Sequence, residues 1–252
     1  MPSLSVVLPA HNEEANVAGV VAEVFDVVQE WGIDAEVILV NDGSTDGTGA
    51  IARTLAQRFR NFRLVEHFPS RHYGGALKAG FAAATKEVVV FCAADRQFVF
   101  REVHRLWDRF TETQADIVSG YRADRHDAPI RKLNAFGWSM ATRALFGYLC
   151  RDINCGFKLI RREVLEQVEV VADGAVIDLE LLAGAKDRGY RIVEVEVSHL
   201  PRTAGAATGA RFSVILRAFG ELFSLRWRLS KEIRARGKVP TAAETPQKAQ
   251  QR

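Results

Sequence analysis

Acidic, amide and arginine side chains follow four apolar runs in the first half of the chain. Glu13 follows the first run, Asp42 the second, Asp95 and Gln97 the third, and Arg122 the fourth. Clustered carboxylates need a cation or hydrogen-bond donors to offset their charge. Oxygen ligands suit Mg²⁺ or Mn²⁺, and guanidinium groups bind phosphate oxygens in pairs. This combination favours a nucleotide-sugar site with a divalent metal on the diphosphate.

The segments that must position these side chains alternate between strand and helix patterns. Two of them, 35–41 and 87–92, are nearly continuous apolar runs, typical of strands buried on both faces of a parallel sheet. We predict an α/β fold with a mostly parallel, doubly wound sheet, helices on both faces, and ligands bound beyond the carboxyl ends of the strands. The predicted strands are 3–9, 35–41, 63–67, 87–92, 116–120, 156–160 and 191–197, and the predicted helices are 13–31, 46–59, 75–84, 132–146, 178–188 and 211–229.

Composition excludes several classes of protein. The 252 residues are 48% hydrophobic and 26% charged, which excludes collagen, a disulfide scaffold and wholesale disorder. A net charge of +3 implies no nucleic-acid partner. Three cysteines without a CxxC pair favour a reducing compartment, and neither a signal peptide nor a transmembrane run is evident. We therefore expect a cytoplasmic protein.

Five segments, in this order, resemble glycosyltransferase family 2, which has the GT-A fold. They are LPAHNEEANV, VNDGSTDGT, HYGGALKAG, AADRQF and DINCGFKL. One such segment would be a weak signal, whereas five in the right order are a specific one. The resemblance covers roughly residues 3–205 and is closest to the dolichyl- or polyprenyl-phosphate sugar synthases. It implies an inverting, metal-dependent sugar transfer.

The resemblance also implies which residues contact the donor nucleotide. Pro9 and Glu13 match residues that contact the base and ribose, and Asp42 matches the aspartate that reads the nucleobase. A turn with a helix N-cap is the alternative interpretation of Asp42 and its neighbours. His11 stands where the family often has tyrosine, and we expect it to pack or to flank the base.

The segment from Ala93 to Gln97 departs from the family pattern. The family usually has Asp-Ala-Asp-x-Gln here, whereas this chain has Ala93, Ala94, Asp95 and Gln97 in the four specified positions. The resemblance implies that Asp95 and Gln97 hold Mg²⁺ or Mn²⁺, with water and phosphate as further ligands. Ala93 removes one acceptor from the donor pocket. A protein that binds the nucleotide sugar without transferring it is therefore an alternative.

Three arginines match positions near the phosphates in the family. Arg122, Arg131 and Arg202 are expected to neutralise phosphate charge, Arg202 from the acceptor side, and a solvated surface charge is the alternative for each. On the acceptor side the resemblance also implies Asp152 and the Gly156-Phe157-Lys158 block.

Asp178 matches the acidic start of a helix in many relatives. A hydroxyl acceptor would need such a residue as a general base. A lipid phosphate is already ionised, so Asp178 would then orient rather than deprotonate. An acidic residue that favours the helix dipole is the alternative.

The chain divides into a catalytic domain at 1–205, an amphipathic helix within 206–236 and a polar, disordered tail at 237–252. The helix carries Trp227 between two arginines, a composition typical of membrane-interface helices. Packing on its own domain or in a dimer is the alternative.

Together these observations predict a glycosyltransferase that passes a sugar from a nucleotide-diphosphate sugar to a polyprenyl phosphate, peripherally at the cytoplasmic membrane face. The first alternative is a family 2 enzyme with a sugar or protein hydroxyl as acceptor. The sequence leaves open the sugar, the choice of GDP or UDP, the acceptor lipid and the oligomeric state.

Overall fold

A computed structural model describes residues 2–123, 129–174, 176–201 and 220–231, with the side chains of 129–136 outside the description. The strands are β1 (Leu4–Ala10), β2 (Ala35–Asp42), β3 (Phe62–His67), β4 (Val88–Cys92), β5 (Ile117–Arg122), β6 (Phe157–Arg161) and β7 (Ile192–Val197). The helices are α1 (Val17–Trp31), α2 (Thr48–Arg58), α3 (His72–Ala83), α4 (Val103–Thr113), α5 (Pro129–Phe146), α6 (Arg162–Gln167) and α7 (Ile177–Asp187). Residues 220–231 are also helical and are called the C-terminal helix.

The strands form one seven-stranded sheet in the order β3-β2-β1-β4-β6-β5-β7. All neighbouring pairs are parallel except those of β6, which runs antiparallel to both β4 and β5. The predicted α/β class with a mostly parallel, doubly wound sheet is confirmed. Each predicted strand agrees with an observed one to within two residues at either end.

The sheet separates two hydrophobic layers because successive side chains of a strand point to opposite faces. In β1, Val6 belongs to one layer and Val7 to the other, and β4 repeats the pattern with Val90 and Phe91. Every residue of β1, β2 and β4 is buried. These strands are therefore nearly continuous apolar runs.

Helix α4 was not predicted from the sequence. Its inward face consists of Val103, Leu106, Trp107 and Phe110, which are all buried against the sheet. This spacing of three, four and seven residues is the ordinary signal of an amphipathic helix. The short helix α6 was also missed, since six residues carry too little periodicity to be recognised.

The strand directions bring the predicted site segments to one edge of the sheet. The carboxyl ends of β1, β2 and β4 lie together because these strands are parallel neighbours. Strand β6 begins opposite the end of β4, with Phe157 paired to Cys92. Antiparallel β6 therefore delivers the segment that precedes it, 152–156, to that same edge.

The C-terminal helix packs on the second layer through Leu222, Leu225 and Leu229, which are buried. Arg228 adds an ion pair to the buried carboxylate of Glu180 on α7. Of the predicted helix 211–229, residues 211–219 lie outside the described residues, as does the predicted tail at 237–252. Within the described part of the chain, no helix has the length and apolar character to cross a bilayer.

Candidate active site

The Asp42 carboxylate at the end of β2 is held by three donors. Its Oδ1 accepts hydrogen bonds from His67 Nδ1 and the Arg71 amide, both at 2.8 Å, and its Oδ2 accepts one from Ser70 Oγ at 2.6 Å. Burial would raise the pKa of Asp42, but these hydrogen bonds outweigh it and hold the pKa below its ordinary value. Asp42 is therefore a fixed, ionised acceptor.

His67, Ser70 and Arg71 were missed in the sequence analysis. His67 ends β3, and the other two residues follow it. Because β3 is the parallel neighbour of β2, the rule that ligands bind beyond strand ends applies here as well. The approach between the two segments is close, because a Cβ on Gly43 would lie 2.6 Å from the Ser70 nitrogen. Gly43 also has φ +66°, a conformation that side chains disfavour.

Hydrogen bonds join the segment after β1 to the segment after β2. The Asn12 amide donates to Ser44 Oγ at 3.0 Å, and the Glu13 amide donates to Thr48 Oγ1 at 2.8 Å. The Glu13 carboxylate is buried and accepts a hydrogen bond from Asn16 Nδ2 at 2.7 Å. The predicted base and ribose contacts are thus held in one frame.

Pro9 and His11 connect that frame to its neighbours. The Pro9 carbonyl accepts a hydrogen bond from the Ala94 amide at 3.2 Å, which joins the ends of β1 and β4. His11 Nδ1 lies 2.7 Å from the Asp42 carbonyl oxygen. This contact places His11 beside Asp42, in agreement with a packing or base-flanking residue.

The segment after β4 carries the predicted metal ligands. Asp95 is buried, and its Oδ1 accepts a hydrogen bond from the Gln97 amide at 3.1 Å. Gln97 Nε2 donates to the Leu200 carbonyl at 3.3 Å. Ala94 is buried, and Ala93 is half-buried between the end of β4 and Asp95.

Asp95 and Gln97 together fit a divalent cation only if substrate phosphates and water supply its other ligands. The described residues contain no group of three or more His, Cys, Asp or Glu side chains arranged for a metal ion. Magnesium is often held by one or two carboxylates, with waters and substrate phosphates as the other ligands. The Asp95 carboxylate and the Gln97 amide oxygen match that pattern.

Arg122, which is half-buried, and the buried Asp152 form an ion pair with two hydrogen bonds. Arg122 Nε and NH2 donate to the two carboxylate oxygens at 2.6 and 2.8 Å. The structure thus joins a residue predicted for the donor phosphates to one predicted for the acceptor side. Asp152 uses two of the five N–H donors of the guanidinium and fixes its orientation.

Lys158 and Asp178 form a second pair, fully inside the protein. Lys158 Nζ donates to Asp178 Oδ1 at 2.6 Å and to the Cys155 carbonyl, and the Tyr73 hydroxyl bonds to the same carboxyl. Burial raises the pKa of Asp178, and the Lys158 ammonium limits the rise. Gly156 lies next to this cluster. A Cβ on Gly156 would be 3.8 Å from the Tyr73 hydroxyl oxygen.

Two predicted arginines cannot be placed by their side chains. Arg131 lies in the first turn of α5, where side chains are outside the description, and Arg202 follows the last described residue of the segment 176–201. His199, three residues before Arg202, packs against Phe98, with 5.4 Å between the ring centroids. The site roles of both arginines stay predictions.

The fold and the strand-end segments belong to a known family of enzymes. The family model described as glycosyl transferase family 2 matches residues 5–169, and the chain is a member of that family. The resemblance stated from the five sequence segments is thereby confirmed.

Curated relatives carry more specific names. The undecaprenyl-phosphate 4-deoxy-4-formamido-L-arabinose transferase of Aeromonas hydrophila is 29% identical over 204 residues, which are 80% of this chain and 61% of the relative. The protein of the same name from Pseudomonas aeruginosa is 28% identical, over 80% of this chain and 59% of the relative. The chain spans about 60% of the length of these relatives.

Solved structures confirm the fold. Glucosyl-3-phosphoglycerate synthase from Mycobacterium tuberculosis, in complex with Mn²⁺, UDP-glucose and phosphoglyceric acid, superimposes with a TM-score of 0.67. The match covers 90% of this chain and 80% of that one at 23% identity. The chain therefore has the GT-A fold.

Proposed function

We propose that the protein transfers a sugar from a nucleotide-diphosphate sugar to a polyprenyl phosphate. The observation that carries the proposal is the meeting of Asp42, Asp95 and Gln97 at one sheet edge in a family 2 chain. The printed names of the curated relatives, which are undecaprenyl-phosphate sugar transferases, support the acceptor class.

The donor would bind across the ends of β1, β2 and β4. The fixed Asp42 carboxylate accepts hydrogen bonds from the base, and Glu13 accepts them from the ribose. Asp95 and Gln97 would hold Mg²⁺ or Mn²⁺, which stabilises the departing diphosphate when bound. Titration of the chain with UDP and with GDP distinguishes uracil from guanine as the base.

The proposed transfer needs no general base, because the attacking lipid phosphate is already ionised. An oxygen of the lipid phosphate attacks the anomeric carbon of the sugar, the bond from that carbon to the diphosphate breaks, and the nucleoside diphosphate leaves. Arg122, oriented by Asp152, supplies positive charge for the phosphates, together with Arg202. An in-line attack of this kind inverts the anomeric centre.

The Lys158–Asp178 pair supports a phosphate acceptor over a hydroxyl acceptor. A general base must reach the proton that it removes. Asp178 is 3% exposed and is already bonded to Lys158, and Asp152 is bonded to Arg122. Both carboxylates are thus engaged as orienting groups, which a lipid phosphate permits and a hydroxyl does not.

The C-terminal helix supports contact with a membrane surface. Its outer side carries Phe223 and Trp227, which are 66% and 65% exposed, and Lys231, whose Nζ lies 3.6 Å from the centre of the Trp227 ring. Exposed aromatic residues beside a cation are typical of helices that lie in a bilayer interface. We expect vesicles of anionic lipid to shift the tryptophan emission to the blue, and a Trp227→Ser variant to lose most of that shift.

The transfer itself is tested by incubating the chain with undecaprenyl phosphate, Mn²⁺ and a panel of GDP- and UDP-linked sugars. Lipid extraction and mass spectrometry then detect the glycosylated lipid phosphate. We expect product from one donor, and a loss of at least a hundred-fold in the Asp95→Asn variant. Asp108→Asn, on the exposed side of α4, is the matched control and should leave product formation unchanged. Donor binding without product from any acceptor would favour the non-catalytic alternative suggested by Ala93.

A further inference from the structure

A small open cavity lies between the end of α5 and the segment that leads into β6. Its volume is about 220 Å³. Two arginines line it, Arg143 and Arg151, together with Ser139 and the apolar residues Leu149 and Ile153. The cavity adjoins the candidate active site through Asp152 but contains none of the residues predicted from the sequence to act there.

Each of the two guanidinium groups is positioned by a tyrosine ring. The Arg143 Cζ atom lies 4.9 Å from the centre of the Tyr148 ring, and that of Arg151 lies 4.8 Å from the centre of the Tyr121 ring. Stacking leaves the N–H groups at the edge of a guanidinium available to an acceptor in its plane. In the described part of the chain, neither arginine has a carboxylate within 4.0 Å.

Lys186 fixes the backbone next to the cavity by two hydrogen bonds. Its Nζ donates hydrogen bonds to the carbonyl oxygens of Phe146 and Tyr148, at 3.2 and 3.0 Å. Gly147 between them has φ +72°, and a Cβ there would lie 2.9 Å from the Lys186 nitrogen. The turn that presents Tyr148 is therefore fixed before any ligand binds.

The charge around the cavity is positive. Glu194 on β7 is a nearby carboxylate, and it accepts hydrogen bonds from the Tyr148 hydroxyl at 2.6 Å and the Arg151 amide at 2.5 Å. The bond to Glu194 raises the pKa of Tyr148 above its ordinary value, so this hydroxyl stays a donor. Among the described residues, Arg143, Arg151 and Lys186 bring three positive charges to a region where Glu194 and Asp152 are both already engaged.

We propose that this cavity binds the phosphate group of an anionic ligand, with Arg143 and Arg151 as its two guanidinium contacts. A phosphate monoester has three terminal oxygens and close to two negative charges, so it can satisfy two guanidinium groups at once. A carboxylate carries a single negative charge and would balance the charge of only one guanidinium. The ligand is either a free phosphate ester or the headgroup of a phospholipid, and the proposal does not depend on the sugar transfer proposed above.

Binding of inorganic phosphate to the full chain, measured by isothermal titration calorimetry at constant ionic strength, tests the site. We expect the Arg143→Gln/Arg151→Gln variant to bind at least ten-fold more weakly, and each single variant to be intermediate. Arg58→Gln is the matched control, because Arg58 also stacks on an aromatic ring, that of Phe59 at 5.1 Å, at the far end of α2. Circular dichroism establishes that each variant is folded.

A second arm distinguishes the two sources of phosphate. Sedimentation with phosphatidylcholine vesicles, with and without phosphatidic acid, measures binding to a phosphomonoester headgroup. The double variant should lose phosphate binding in either case. Loss of the phosphatidic acid dependence as well supports a headgroup, and vesicle binding that does not depend on phosphatidic acid in the parent chain supports a free ester. The proposal is overturned if the double variant and Arg58→Gln behave alike in both arms.

Discussion

Three donors converge on the Asp42 carboxylate, one from the last residue of β3 and two from the segment that follows it. A carboxylate held in this way is ionised and has a single orientation, so it can read the hydrogen-bond donors of a base. The hydrogen bonds that orient it also stabilise the fold. Asp42 therefore makes the stability of the fold depend on pH, and under the proposed function the same carboxylate reads the base.

Because hydrogen bonds lower the pKa of Asp42 in the folded state, its stabilisation is complete above the unfolded-state pKa, near 3.8, and is lost as the pH falls through the lower folded-state pKa. We predict that Asp42→Asn lowers the free energy of unfolding by about 1.5–3 kcal/mol at pH 6. The difference from the parent chain should shrink as the pH falls below 4. Urea unfolding at a series of pH values measures it. An Asp42→Asn deficit that stays constant with pH would contradict the assignment.

The buried Lys158–Asp178 pair makes a second prediction at the level of residues. Lys158→Met leaves the Asp178 carboxyl buried without its cation, and we expect this to cost about 3–5 kcal/mol of unfolding free energy. The double variant Lys158→Met/Asp178→Leu should recover most of that loss, because no uncompensated charge remains. Thermal and urea unfolding of the two variants, beside the parent chain, test the coupling. Equal losses in the single and double variants would mean that packing, rather than charge pairing, sets the cost.

The position of a residue at the sheet edge was predictable from the sequence where that residue directly follows an apolar strand. Asp42, Asp95 and Glu13 follow apolar runs, and the strand-end rule placed them at one edge. The partners of Asp42 were missed because His67 and Ser70 lie about 25–28 positions away in the chain and become neighbours only through the pairing of β2 with β3. The Arg122–Asp152 pair was missed for the same reason, since the direction of β6 brings Asp152 to that edge.

At the scale of elements, the close contact of α3 with the sheet depends on glycine. A Cβ on Gly80 would lie 2.2 Å from Val7 Cγ1, so α3 could not stay at its present distance from β1. The segment HYGGALKAG resembles the family, and its last glycine, Gly80, is also required for the packing of α3 against β1.

We predict that Gly80→Ala lowers the free energy of unfolding by about 1–3 kcal/mol through overpacking. Gly137→Ala on α5 is the matched control, because a Cβ there meets nothing within 4 Å. Alanine has the better helix propensity, so the control should raise stability by up to about 1 kcal/mol. Urea unfolding of both variants measures the difference. A neutral Gly80→Ala would show that α3 shifts without penalty.

The elements themselves were largely predictable, and the exceptions have physical reasons. Strands β1, β2 and β4 are buried on both faces and therefore are unmistakable apolar runs. The antiparallel direction of β6 depends on the path of the chain between α5 and Phe157, which no local pattern records. The C-terminal helix was predicted with two alternatives, and its leucines pack on the domain while Phe223 and Trp227 face outward.

At the scale of the whole molecule, residues between 9 and 178 come together at one edge of the sheet to form one candidate site. The donor segments follow β1, β2 and β4, and the Arg122–Asp152 and Lys158–Asp178 pairs lie beyond them along the sheet. The exposed Phe223 and Trp227 of the C-terminal helix would supply the bilayer contact that the proposed function requires. This arrangement supports a transferase that takes a water-soluble donor and a membrane-borne acceptor.

The most direct test of this account is the titration of the folded chain with UDP and GDP, each with and without Mn²⁺, by isothermal titration calorimetry. The nucleotide is used because its binding does not require knowledge of the sugar. We predict metal-dependent binding of one of the two nucleotides, weakened at least ten-fold by Asp95→Asn and by Asp42→Asn, and unchanged by Asp108→Asn. Folded protein that binds neither nucleotide with Mn²⁺ present would contradict the donor site and, with it, the proposed transfer.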